Sequence, residues 1–221
     1  MSEGIVIVDK PDGMTSHDVV AIARKKFNMR RIGHAGTLDP LATGVLVLLI
    51  GKATKLFNKF VAFDKAYRAT LILGTRTTSA DIQGELIEQK SYAHISRVQM
   101  EEAFKKFSGH IAQVPPMVSA VKVKGQKLYQ LARKGIEVKR EPRQVRIDCL
   151  EIEHFNLPDV KFYLECSKGT YVRQIAEDVG NYLECGACIS QIQRTRVGNF
   201  GIEEAVNLKD LNEGHIRNWQ G

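Results

Sequence analysis

Gly33–His34–Ala35–Gly36–Thr37–Leu38–Asp39–Pro40–Leu41–Ala42–Thr43–Gly44 runs directly into the unbroken apolar segment Val45–Leu46–Val47–Leu48–Leu49–Ile50. The first part holds three glycines, one proline and a single carboxylate. Glycine opens backbone angles closed to other residues and lets a ligand come close to the chain. Proline fixes its own φ and restricts the residue before it, so Asp39 sits in a stiff frame. Val45–Ile50 reads as a strand buried on both faces. A carboxylate on a stiff loop tied to such a strand is a common way to present a reactive group. An ordinary Asp-Pro turn is the other reading that the dipeptide allows.

Working outward, the chain has 221 residues, enough for one or two domains with a real core. Hydrophobic residues make up 43% and charged residues 26%, the balance of a globular protein. A net charge of +7 suggests a polyanionic partner. Met1–Lys10 lacks the basic-then-apolar pattern of a signal peptide, and the longest apolar run is too short to span a bilayer. The expectation is a cytoplasmic protein with no membrane association. Cys185–Gly186–Ala187–Cys188 could form half of a zinc site or a redox pair, but no second pair accompanies it. Reduced thiols, these two with Cys149 and Cys166, are the better reading. Gly51–Lys52 fails as a P-loop, because Leu46 and Ala53 stand where that motif needs Gly and Ser or Thr.

Ile5–Val8 predicts a strand, and Thr15 or Ser16 caps a helix with Val19, Val20, Ala23 and Phe27 inward. Arg24, Lys25 and Lys26 load the C-terminal end of that helix, and Arg30–Arg31 lead into the Gly33 loop. A second helix opens at Gly51. Lys65–Leu73 alternates as a strand, and Gly74–Gly84 reads as a polar loop. Ser96–Arg97–Val98–Gln99 is a capping box for a helix that Gly109 stops. Val145–Cys149, Val160–Cys166 and Ile189–Val197 predict strands; Leu128–Lys134, Tyr171–Leu183 and Leu208–Leu211 predict helices. The sum is an α+β fold: a mixed, largely antiparallel sheet flanked by helices. From Lys122 to Arg146 nine cations, among them Lys122, Lys124, Lys127, Arg133, Arg140 and Arg143, face only Glu137 and Glu141. With few anchoring residues, this stretch reads either as a weakly packed nucleic-acid contact or as a solvated surface.

GHAGTLDPLATGVL, from Gly33, resembles the second motif of the TruB-family tRNA pseudouridine synthases. Four further segments agree in order: Val8–Val20 with the first motif, Lys65–Ala66–Tyr67 with the K-x-Y element, Lys168–Arg173 with the arginine motif, and Gln193–Gly198 with the last motif. Pro115–Gly135 is similar to the thumb insertion that closes over RNA. Ile192 stands where leucine is common and Gln193 where a second arginine is usual. The resemblance implies a single catalytic domain over residues 1–221, with a thumb at about 115–146 and no C-terminal PUA domain.

The implied reaction isomerises uridine to pseudouridine at position 55 in the T-loop of tRNA. Asp39 is the implied covalent catalyst, Arg173 orients it, and Tyr67 stacks on the flipped uracil near its C5 proton. Tyr171 and Ile192 line the base pocket, and His34 lies against the RNA. Attack at C1′, attack at C6 and a glycal route all stay open. No atoms are gained and no electron acceptor is needed, so no cofactor and no metal are expected. The partner is the tRNA T-stem-loop, with a monomeric protein and no obligatory protein partner. Read without the motifs, Tyr67 and Tyr171 are ordinary core tyrosines. The competing reading for the whole chain is a non-catalytic tRNA-binding or RNA-folding protein, although Asp39, Tyr67 and Arg173 are all retained.

Overall fold

A computed structural model describes residues 3–219 apart from Ala120, Lys124 and Arg133. The chain begins with β1 (Gly4–Lys10), α1 (Ser16–Lys26), β2 (Ile32–Ala35), β3 (Thr43–Ile50), α2 (Phe57–Ala62) and β4 (Lys65–Leu73). A hairpin of β5 (Thr75–Thr77) and β6 (Leu86–Gln89) follows, then α3 (Arg97–Lys106) and β7 (Gly109–Gln113). Next come β8 (Lys122–Val123), β9 (Gln126–Lys127), α4 (Leu128–Ala132), β10 (Arg143–Asn156) and β11 (Asp159–Cys166). The last elements are α5 (Val172–Tyr182), β12 (Ala187–Val197), β13 (Phe200–Gly201) and β14 (Val206–Asn207). Two compact units result, one from the chain up to Arg68 with Gln191 onward, the other from Ala69–Ser190. The fold is α+β with a large mixed sheet, as the sequence pattern predicts. Its parallel pairings include β12 on β3 and β14 on β1.

In the first unit β3 is the central strand, and its apolar run explains why. On one edge it pairs antiparallel with β1, Val8 opposite Leu46; on the other it pairs with β2, His34 opposite Leu48. Leu46, Leu48 and Ile50 pack with Val19, Val20 and Ala23 of α1 and with Phe27, which caps that helix. Val45, Val47 and Leu49 pack on the other face with Phe60 of α2 and Val197. Both faces are dry, so no polar alternation appears in the sequence. Helix α1 starts where Thr15 and Asp18 form a capping box, and Arg24, Lys25 and Lys26 occupy its last turn.

In the second unit the part of β4 from Ala69 onward lies side by side with β11, β10 and β7. Helix α3, capped by Ser96 and Gln99, sets Phe104 edge-on to Phe162 of β11, with ring centroids 5.6 Å apart. Helix α5 buries Val172, Ile175, Ala176 and Val179.

Three expectations change. Gly33–Ala35 is not loop but most of β2, because its backbone completes the ladder of β3. Gly74–Gly84 is not wholly loop: Thr75–Thr77 forms β5, whose polar side chains hid a short hairpin. Leu208–Leu211 is a turn rather than a helix, closed by the Asp210 N–H on the Asn207 carbonyl. Leu208 and Leu211 are buried in the α1-side core, so they read as helical while acting as two anchors of a bend.

Leu48 is fully buried whereas Val98 on α3 is 62% exposed. Leu48→Ala is expected to lower the unfolding free energy by about 2–5 kcal/mol. Val98→Ala should change it by no more than about 0.5 kcal/mol. Urea unfolding monitored by circular dichroism measures both.

Candidate active site

Between β2 and β3 the chain must turn back through Gly36–Ala42 and set Asp39 at its bend. Leu38 and Ala42 on either side are buried in the α1-side core, and Asp39 between them stays half-exposed. The Ala42 N–H donates to the Asp39 carbonyl at 3.0 Å, closing the bend. Ser16, the first residue of α1, grips Leu38 twice: its hydroxyl accepts from the Leu38 N–H at 2.8 Å and donates to the Leu38 carbonyl at 3.1 Å. The Pro40 carbonyl accepts from the Gly13 N–H at 3.0 Å and from Lys10 Nζ at 3.1 Å.

Lys10 is wholly buried, and its ammonium also donates to the carbonyls of Pro11 and Met14. Burial pushes its pKa down to about 8, while the carboxylates of Asp12 and Asp39 work against that shift. A cation is therefore built in beneath the loop that carries Asp39.

The buried Arg194 of β12 closes the frame. Its Nε donates to the Val45 carbonyl at 2.8 Å and its Nη2 to the Gly36 carbonyl at 2.9 Å. Strand β12 pairs parallel with the start of β3, Gln193 opposite Thr43 and Arg194 opposite Gly44. Gly44 has φ +96° and lies so close to Arg194 that a Cβ would strike the Arg194 carbonyl oxygen, so only glycine fits.

His34 lies on β2 with its ring edge-on to the exposed His17 of α1, centroids 5.2 Å apart. Its Nδ1 is buried and, among the described residues, has no hydrogen-bond partner. Burial pushes its pKa from 6.5 down to about 4, and the charges of His17 and Arg194 add to the shift. Tyr67 is buried on β4. Ile192 is partly buried against the core cluster that also holds Leu38 and Ala42. His34, Asp39, Tyr67 and Ile192 thus all belong to the first unit.

Tyr171 and Arg173 belong to the second unit, at the start of α5. The buried Gln113 clamps the backbone of Tyr171, its side chain accepting from the Tyr171 N–H at 2.8 Å and donating to the Tyr171 carbonyl at 3.1 Å. Arg173 is 4% exposed and held from several sides. Its Nη1 donates to the Ser79 carbonyl at 2.6 Å and its Nη2 to the Val118 carbonyl at 2.9 Å. Its Nε lies 3.6 Å from the carboxylate of the buried Asp81. Asp81 also accepts from the Ser79 hydroxyl at 2.6 Å and from the Gln83 N–H at 3.1 Å. The guanidinium is thereby fixed in direction, and its charge is compensated where desolvation would otherwise be costly.

In the basic insertion, Lys122 and Lys127 sit on the small β8–β9 hairpin, and Lys127 Nζ lies 5.6 Å from the centre of the Tyr129 ring. Leu128 and Leu131 of α4 are buried, so the segment is better anchored than its composition suggests. Arg140 is a strap rather than a free cation: it donates to the Pro115 carbonyl at 3.2 Å and pairs with Glu137 at 3.3 Å. Arg143 is exposed at the start of β10. Lys124 and Arg133 lie outside the described residues. Cys185 and Cys188 are buried, and burial pushes the Cys188 thiol up to about 11, which leaves it unreactive.

The family model "TruB family pseudouridylate synthase (N terminal domain)" matches residues 24–172, and "tRNA pseudouridylate synthase B C-terminal domain" matches residues 173–219. The chain belongs to the TruB family. It is 48% identical to a tRNA pseudouridine synthase B of Opitutus terrae over 206 residues, covering 93% of this chain and 86% of that protein. A Clostridium tetani protein of the same name is 44% identical over 214 residues, covering 97% and 74%. Among solved structures, a chain described as "Crystal Structure of a Cbf5-Nop10-Gar1 Complex" matches with a TM-score of 0.74 and 32% identity. That match covers 94% of this chain and 53% of the other, so this chain spans about half its length.

Lys10, Gln113, Asp81 and Arg194 were not marked individually by the sequence, and Ser16 was marked only as a possible helix cap. Each supports, through burial and hydrogen bonds, a segment that carries a residue predicted for the site, which a linear pattern does not display.

The His34 shift has a measurable sign. An unfolded imidazole takes its proton near 6.5 and the folded one near 4, so the unfolded chain binds more protons between those values. The stability due to a neutral His34 is complete above pH ~6.5 and is lost as pH falls towards ~4. Relative to His34→Gln, the native chain should lose stability over that window and show a constant difference above it. Urea unfolding of both proteins from pH ~7 to ~4 checks this, and a difference independent of pH throughout would contradict it.

Proposed function

We propose that this chain isomerises uridine to pseudouridine in tRNA, at position 55 of the T-loop, with Asp39 as the catalytic carboxylate. The observation that carries this reading is the frame around Asp39: Lys10, Ser16 and Arg194 hold the loop from three separate segments while Asp39 stays half-exposed. A group that must meet C1′ or C6 of an extruded nucleotide gains from such fixed placement.

The chemistry balances without a co-reactant. The N1–C1′ bond breaks, the C5–C1′ bond forms, C5 gives up a proton and N1 ends with one. In this scheme Arg173 acts as the positively charged partner of the catalytic carboxylate that the family resemblance implies, and Tyr67 stacks on the uracil close to the C5 proton. Tyr171 and Ile192 bound the base, and the neutral His34 packs against the RNA without competing for phosphate. Lys122, Lys127 and Arg143, together with Lys124 and Arg133, supply phosphate contacts from the thumb over residues 115–146. The scheme treats the chain as one catalytic domain that works in the cytoplasm as a monomer.

An unmodified tRNA transcript incubated with the protein and mapped by carbodiimide treatment and primer extension tests the proposal. One pseudouridine in the T-loop is expected, and none when that uridine is replaced by cytidine. Tight binding with no pseudouridine would instead support a non-catalytic RNA-folding role.

A further inference from the structure

Between Asp18 and Asp64 the sequence contains eight lysines and arginines and one carboxylate, Asp39. The first unit joins the two short segments that carry four of these cations. The Arg31 carbonyl accepts from the Gly51 N–H at 2.9 Å, and Arg31 Nε donates to the Thr54 hydroxyl at 3.0 Å. The turn holding Arg30 and Arg31 is thus joined to the 3-10 turn Gly51–Leu56, which carries Lys52 and Lys55. All four cations are exposed. Among the described residues, the one carboxylate paired with them is Glu3, 3.4 Å from Lys52, and both of those side chains are open to water, where such a pair holds weakly.

The patch sits at one end of β2, and β2 leads straight from it to His34 and the Asp39 loop. Strand β2 bonds to β3 along one edge, Ile32–Ala35 opposite Ile50–Val47. From Arg31 to His34 is three residues, about 10 Å along a strand. A nucleic-acid strand advances about 3.4 Å per nucleotide, so the same distance covers roughly three nucleotides.

We propose that Arg30, Arg31, Lys52 and Lys55 form a second RNA-contact surface, separate from the thumb, which holds the phosphates of the substrate strand about three nucleotides from the target uridine. The proposal rests on the function given above and extends it to how the substrate is gripped. Excluding every carboxylate but Asp39 from this stretch keeps repulsion away from the RNA backbone while leaving one anion at the reacting base. Lys52 and Lys55 project from a surface turn, so their charge can be changed without disturbing a core. The same composition could serve an acidic protein partner, but the cations lie within a few residues of the RNA site along one strand, which favours phosphate.

The test uses the full chain and a tRNA T-stem-loop transcript. Dissociation constants are measured across a series of salt concentrations for the native chain, for Lys52→Glu/Lys55→Glu, and for Arg30→Ala/Arg31→Ala. Each lost phosphate contact should flatten the slope of log K against log salt by about 0.7–0.9. Each double variant is therefore expected to flatten it by about 1.5 and to weaken binding at least tenfold near 0.1 M salt. Raising the RNA concentration should restore pseudouridine formation. Replacing single phosphates by uncharged methylphosphonates should weaken the native chain most at the third or fourth position from the target, and the variants much less. Unchanged affinity and slope in both variants, with pseudouridine still formed, would overturn the second surface and leave the proposed function standing. Absence of pseudouridine with the native chain would instead defeat the function itself.

Discussion

Arg194 reaches from β12 to bind the carbonyls of Gly36 and Val45, on either side of the loop that carries Asp39. A buried guanidinium has five donors and no tolerance for being left unpaired, so it fixes whatever it touches. Here it fixes a bend between two strands. The dry core on both faces of β3 then holds that bend against the rest of the unit. Glycine at 44 follows from the same contact, because no side chain fits against the Arg194 backbone. Lys10 and Ser16 complete the frame from β1 and α1, so three separate segments converge on the position of one carboxylate.

The second unit repeats the logic with different groups. Asp81 and the carbonyls of Ser79 and Val118 aim Arg173, as Gln113 aims the backbone of Tyr171. In both units a buried polar group organises irregular backbone that could not order itself by regular hydrogen bonding. The cost of burying these polar groups is met because each has partners, and each unit gains irregular backbone that is already ordered. His34 is the contrasting case. Its buried Nδ1 and depressed pKa leave an uncharged ring, suited to packing on a base rather than to binding phosphate.

Much of this was legible in the sequence because it depended on local patterns. Val45–Ile50 announced a doubly buried strand by its composition, and Ser96–Gln99 announced a capping box that the structure contains. Lys65–Leu73 alternates and is β4. The Asp39 motif drew attention to a loop that buried polar groups hold in place. What stayed hidden depended on partners distant in sequence: Arg194 lies 158 residues from Gly36, and Arg173 lies 94 from Ser79. A lysine in a strand, a serine at a helix start and an aspartate in a polar loop look ordinary until folding buries them. Leu208 and Leu211 failed in the opposite sense, because two buried leucines at a three-residue spacing fit a turn as well as a helix. The insertion is also better anchored than its composition suggests, since α4 buries Leu128 and Leu131.

The account depends on Asp39 being the group that acts on the nucleotide while the surrounding frame merely places it. Tritium release from tRNA labelled at uracil C5 measures this most directly, comparing the native chain with Asp39→Ala under single-turnover conditions at saturating RNA. The account predicts one tritium released per pseudouridine formed by the native chain and no release by the variant, with the variant still binding the same tRNA. Tritium release by Asp39→Ala at a rate near that of the native chain would contradict it.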